Sequence, residues 1–290
     1  MQTAPTSAFL ERLVSARATP EASQWLHERC EEVATAGVGA RLFMAFGMVP
    51  RRLGKAALSP TEAECEAASA LRVGLDPRLW TVDQVGRMML LLSLPSDEPQ
   101  ALSGAIDRLC QDADLGELAA VYRTLPLLPH QQAHRARAAE GVRSNMTGVL
   151  AAIALRNPYP AEQLDEGAFN QVVLKSLFVG LPLRHIVGLD GRVNTALAQA
   201  LCNSASERWA AGREVDPMMW RCVGPVADGA MLEVLDRAIE RDAGRHGLSV
   251  LLSVRDNPAA DAIRERDPGL AARVRTGELG WEDVATGDDA

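Results

Sequence analysis

Aromatic side chains are scarce in this chain: only 4% of its 290 residues are Phe, Trp or Tyr. Strands draw on aromatic and β-branched residues, and the apolar positions here are mostly Ala, Leu and Val. Alternating apolar and polar runs are almost absent, which argues against a sheet. Cysteine is sparse as well. Cys30, Cys65, Cys110, Cys202 and Cys222 are odd in number and far apart. They form no C-x-x-C pair and no Cys/His cluster at zinc spacing. They read as reduced thiols of a cytosolic protein, and the chain is expected to use neither a metal nor a cofactor.

Positive charge is also in short supply. Thirty Lys and Arg face 38 Asp and Glu, giving a formal net charge of −8 and a pI near 5.3. Nucleic acid calls for a basic footprint, and an anionic membrane surface does the same, so neither is expected as a partner. Long hydrophobic runs are missing: "MMLLLSL" at 88–94 and "VLAAIAL" at 149–155 are far too short to span a bilayer. The opening "MQTAPTSAFLERLVSA" has no basic segment followed by an apolar one, as a signal peptide would. A cytoplasmic location is the expectation.

Catalytic signatures are equally absent. There is no phosphate-binding G-x-x-x-x-G-K-[ST] loop, complete G-x-G-x-x-G, H-E-x-x-H, G-x-S-x-G or EF-hand loop. "GVGARL" at 37–42 is a partial dinucleotide fingerprint with no strand before it. His130 and His134 are spaced to share a helix face, but with Gln131, Arg135 and Arg137 around them that face reads as solvated rather than metal-binding.

Helical periodicity runs through nearly the whole chain. Starts are predicted after Thr6-Ser7, Pro20, Ser59-Pro60, Thr81, Asp97, Asp114 and Pro129, and near Gly39. Further starts follow Asp165, Arg192, Pro217, Asp228, Gly244, Asn257 and Asp267. Many carry Ser, Thr, Asp or Asn as a cap, or Pro in the first turn. Gly74, Pro95, Pro126, Pro158, Gly180 and Gly212 mark stops. Short helices with short turns pack as antiparallel neighbours. "LSGAIDRLCQDADLGEL" (102–118) also echoes "MLEVLDRAIERDAGRHGL" (231–248), each a helix, an acidic turn and a second helix. The expected fold is therefore all-α, an array of helix pairs resembling HEAT-like α-solenoids, with an irregular helical bundle as the alternative. Residues 1–280 are expected to form a single domain, and 281–290 an acidic, frayed tail.

The most informative stretch is "FNQVVLKSLFVGLPLRHIVGLDGRVN", residues 169–194. At 3.6 residues per turn, Phe169, Val172, Val173, Leu174, Leu177, Phe178 and Val179 cover most of the helix circumference. Such a helix is expected to be enclosed on nearly all sides. Asn170 falls inside the apolar arc and needs hydrogen-bond partners there. Lys175 shares one narrow polar sector with Gln171. In the next helix, Val193, Leu197, Leu201, Ala205 and Trp209 form the apolar stripe, and Arg208 points toward packed surface. A partly buried guanidinium needs an anion; Asp190, Glu207 and Asp216 are the internal candidates.

"NPYP" (157–160), the 169–194 stretch and "ERWAAGREVDPMMW" (207–220) resemble the signature region of EboA-domain proteins. The resemblance covers residues 157–220. It implies a bacterial protein of ebo-type gene clusters, which also encode a UbiA-type prenyltransferase, a TatD-like hydrolase, a sugar-phosphate cyclase-like protein and an isomerase-like protein. It implies other proteins of that cluster as partners, and a role in moving or processing a metabolite precursor. The matched positions are Asn157, Tyr159, Asn170, Lys175, Arg192, Asn194, Glu207, Arg208, Trp209, Arg213 and Trp220.

Three functions fit these residues. The first is a non-catalytic helical scaffold or adaptor, favoured because no nucleophile–base or metal constellation is visible. The second is a binder or carrier of a phosphorylated or carboxylated metabolite, with Asn170, Lys175, Arg192 and Arg208 as candidate ligand-binding residues. In that scheme Asn157, Asn194, Glu207 and Arg213 are structural polar residues. The third, an enzyme using Lys175 or His185 as acid–base, has no positioned partner in the sequence and no catalytic residue is assigned.

Overall fold

The computed structural model describes residues 3–284, and these are helical with no strand. The all-α expectation is met. The chain folds as two compact units, Met1–Val172 with His185–Val187, and Val173–Arg184 with Gly188–Ala290, where the sequence predicts one domain over 1–280.

The first unit contains α1 (Thr3–Ser15), α2 (Pro20–Ala36), α3 (Ala40–Leu53), α4 (Glu62–Leu71) and α5 (Val82–Leu92). It continues with α6 (Pro99–Gln111), α7 (Leu115–Thr124), α8 (Arg135–Arg143), α9 (Thr147–Ala154), α10 (Tyr159–Gln163) and the start of α11 (Glu166–Phe178). Caps explain many of the boundaries. Thr61 accepts from the Glu64 amide at 3.2 Å while Glu64 accepts from the Thr61 amide at 2.8 Å, and Asp114 and Glu117 repeat the exchange at 2.8 and 3.0 Å. Three starts in this unit differ from expectation: α1 begins before Thr6, and α9 and α10 arise where the sequence predicts no start.

Helix α5 is the axis of this unit, in contact with α1, α2, α3 and α7. It is buried on nearly every side, including Asp83, Gln84 and Arg87. Gly86 lets α3 approach, since a Cβ there would meet Val49 Cγ1 at 3.0 Å. The Arg87 guanidinium pairs with Asp83 at 2.6 Å, donates to the Phe46 carbonyl at 3.2 Å and lies 5.3 Å from the Phe46 ring centroid. A charge this deep is tolerated only when so partnered.

The expected solvated face holds for His130, which is exposed and takes a left-handed conformation, but not for His134, which is 1% exposed with Nε2 3.1 Å from the Pro129 carbonyl. A short 3₁₀ turn at Gln131–His134 replaces the single helix that the spacing suggested.

The second unit holds the end of α11, then α12 (Thr195–Ala210), a 3₁₀ helix Pro217–Cys222, α13 (Gly229–Arg241) and α14 (Arg245–Ser253). Three short helices follow: α15 (Asp261–Arg264), α16 (Pro268–Arg275) and α17 (Trp281–Val284). Its core is Trp220, which is fully buried and packs with Trp209 and His246 at centroid distances of 5.9 Å each. Helix α14 lies against the 3₁₀ helix, and Ser249 donates to the Pro217 carbonyl at 2.5 Å. The frayed tail is corrected at its start: Trp281–Val284 are helical, Val284 is buried, and Arg245 donates to its carbonyl. Residues 285–290 of that expectation lie outside the described residues.

Each unit contains the same Asn-Pro clamp. Asn157 donates to the Tyr122 and Ala152 carbonyls at 3.1 Å and accepts from the Tyr159 amide at 3.0 Å. Asn257 donates to the Gly224 and Ala227 carbonyls at 2.7 and 2.8 Å and accepts from the Ala259 amide at 2.9 Å. Both side chains are buried and fully satisfied, fixing the turn after a core helix.

Candidate functional site

Two helix ends and a returning loop build a cavity of about 440 Å³ within the second unit. Helix α11 supplies Leu174, Lys175, Leu177 and Phe178; α12 supplies Ser204, Glu207 and Arg208. Ala211, Arg213, Val215 and Asp216 come from the loop, and Met219 from the 3₁₀ helix.

The local sequence explains this geometry. Helix α12 opens at Asn194, whose side chain accepts the Leu197 amide at 2.9 Å. It closes on Gly212, which takes φ +67°. The Arg213 amide reaches back to the Arg208 carbonyl at 2.8 Å, and the Gly212 amide to that of Trp209 at 3.0 Å. That double bond is a Schellman stop, and glycine permits the left-handed turn it needs. Helix α11 ends the same way at Gly180, with φ +77° and the Leu181 amide bonded to the Ser176 carbonyl at 2.8 Å. The chain reverses after Gly212, and Arg208 Nε holds the returning loop by donating to the Glu214 carbonyl at 2.7 Å. Asp216 then accepts the Met218 amide at 2.9 Å and starts the 3₁₀ helix.

The lining divides by polarity. Leu174, Leu177, Phe178, Val215 and Met219 form an apolar wall; Lys175, Arg208, Arg213, Glu207 and Asp216 bring charge. The expected enclosure of α11 fails at its last turn, where Phe178 is 85% exposed. None of the carboxylates expected for Arg208 pairs with it among the described residues. Asp190 is instead held by Arg221 at 2.5 and 2.6 Å, in a bidentate pair that raises the guanidinium pKa. Glu207 and Arg213 likewise form no ion pair within 4 Å among the described residues.

Of the sequence candidates, Lys175, Glu207, Arg208 and Arg213 therefore meet at one cavity. Asn170 is buried in the first-unit part of α11, and Arg192 closes a 3₁₀ turn at Asp190–Arg192; neither lines the cavity. Asn194 caps α12 and Asn157 clamps its turn. The wall residues do not stand out as a site in the sequence. Their 174, 177, 178 spacing marks a helix face, but spacing does not distinguish a packed face from one lining a cavity.

The lining sets one hydroxyl among charged and apolar side chains. Its one hydroxyl, Ser204, has no histidine or cysteine beside it on the lining. Burial pushes the thiol of Cys202 up to about 11 and that of Cys222 up to about 12, so both stay protonated near neutral pH. Among the described residues no group of His, Cys, Asp and Glu is arranged to hold a metal, and no helix is long and apolar enough to cross a membrane.

The family model described as "Metabolite traffic protein EboA" matches residues 6–224, an interval that contains every residue lining the cavity. No curated protein and no solved structure matches the chain.

Proposed function

The chain belongs to the EboA family, and on that premise we propose that it is a non-catalytic carrier of an anionic, partly apolar metabolite held in the second-unit cavity. One observation carries the reading: Arg208 and Arg213 present guanidinium groups that have no carboxylate within 4 Å among the described residues, beside an apolar wall. A volume of about 440 Å³ is in the range of small-molecule sites. The carboxylate or phosphate of a ligand meets the two arginines, and its apolar body meets Leu177, Phe178 and Met219. The family description, metabolite traffic, supports a protein that holds its ligand without transforming it.

This puts carriage ahead of a purely scaffolding role for HEAT-like helix pairs. A carrier also has a use for protein partners, such as other products of an ebo-type cluster, at the moment of loading or release.

Titration calorimetry with a panel of aryl carboxylates, alkyl carboxylates and phosphate esters tests the proposal. At least one class binds, and Arg213→Ala or Arg208→Ala weakens it by about 10- to 100-fold, the equivalent of a charge-assisted hydrogen bond of about 1.5–3 kcal/mol. Binding unchanged in both variants, or no binding across the panel, overturns it.

A further inference from the structure

The cavity lining carries charge of both signs. Glu207 and Arg213 both line it, yet neither is within 4 Å of an opposite charge among the described residues. Arg208 spends its Nε on the Glu214 carbonyl and makes no carboxylate contact among the described residues. Opposite charges on flexible side chains around one space normally close on each other when the backbone lets them, although the gain at an exposed site is small. Here the Schellman turn at Gly212 sets Arg213 on the returning loop while Glu207 stays on the helix. A single anion would satisfy the arginines and leave Glu207 facing it.

A second feature points the same way. Both helices that border the cavity, α11 and α12, reach it by their C-terminal turns. That end of a helix carries partial negative charge and favours a cation. A site made only for a polyanion would gain from helix N-termini instead. Two C-terminal turns, Glu207 and the carboxylate of Asp216 together supply places for a positive group beside the arginines.

We infer that the cavity selects a zwitterion, a ligand bearing both a carboxylate and an ammonium group on an apolar body, as in an apolar amino acid or a small derivative of one. The inference rests on the carrier reading and narrows it. The carboxylate lies with Arg208 and Arg213, the ammonium with Glu207, and the apolar body against Phe178 and Met219. Diphosphates and other polyanions are disfavoured by the same carboxylates.

The test compares L-phenylalanine, 3-phenylpropionate, which lacks the amine, and phenethylamine, which lacks the carboxylate, by titration calorimetry on the full chain. Phenylalanine is expected to bind at least tenfold more tightly than either analogue. Glu207→Gln erases its advantage over 3-phenylpropionate, and Arg213→Gln erases its advantage over phenethylamine. Circular dichroism of both variants confirms that the helices persist. If 3-phenylpropionate binds as well as phenylalanine, and Glu207→Gln changes neither, the zwitterion inference fails while the anion carrier stands. If none of the three compounds binds and carboxylates and phosphates also fail, both readings fall together. If only a phosphate ester binds, the zwitterion is wrong and the arginines serve a simple anion.

Discussion

Trp220 donates its indole N–H to Nδ1 of His246 across 2.8 Å, with both rings buried in the core of the second unit. The bond requires an unprotonated Nδ1. Burial lowers the pKa of His246 below its ordinary 6.5, outweighing the opposing pull of Asp242 and Glu214. The folded state therefore binds fewer protons than the unfolded chain between that lowered value and 6.5. Stability is full above about pH 6.5 and declines as the pH falls through this window. Urea denaturation at pH 7.5 and pH 5.5 measures the decline, and His246→Gln should flatten it. A variant as pH-sensitive as the parent would mean that other groups control the acid limb.

Arg87 is the charge most deeply committed to the first unit. Arg87→Met alone strands Asp83 in the core and is expected to cost about 3–5 kcal/mol. The double variant Asp83→Leu with Arg87→Met removes both charges and should recover most of that loss. Denaturant midpoints of the three proteins give the coupling directly. If the double variant is as unstable as the single one, the carbonyl of Phe46, not the ion pair, explains why Arg87 is there.

Gly224 lies against α14. A Cβ at that position would stand 2.6 Å from the backbone carbonyl carbon of Ser253, too close for any rotamer to relieve. Gly224→Ala is expected to destabilise by about 1–3 kcal/mol. Thermal unfolding of this variant should show a lower midpoint, whereas Gly191→Ala, where a Cβ meets nothing within 4 Å, should leave it near the parent value.

Much of the helical order was legible because it is written in short local codes. Thr61, Asp114, Asn194 and Asp267 cap the helices they precede, and the side-chain oxygen needed for each cap is visible in the sequence. The echo between residues 102–118 and 231–248 is also structural, since α6–α7 and α13–α14 are both helix pairs joined at an acidic turn. Helix α9 escaped because Met146 before it makes no side-chain cap. His134 escaped because its burial depends on chain segments distant in sequence. The charged residues of the cavity stood out as interruptions in apolar helices. Their convergence did not, because it depends on the backbone reversal at Gly212 and on Arg208 gripping the Glu214 carbonyl. The matching Asn-Pro clamps at 157 and 257 were likewise invisible as a pair, since each is defined by carbonyls about thirty residues earlier in the chain, such as those of Tyr122 and Gly224.

Phe178 gives the cavity a calorimetric signature. Its ring is 85% exposed although it forms part of the apolar wall. An apolar ligand body that covers the ring removes ordered hydration, and the heat capacity of the system falls. The binding enthalpy should become steadily more negative between 10 and 35 °C (on the order of 0.05–0.1 kcal/mol per kelvin for roughly 100–200 Å² of apolar contact). Phe178→Ser should flatten that slope even where it changes affinity only modestly. An aromatic ring in contact with water would then mark the depth to which the cargo sits.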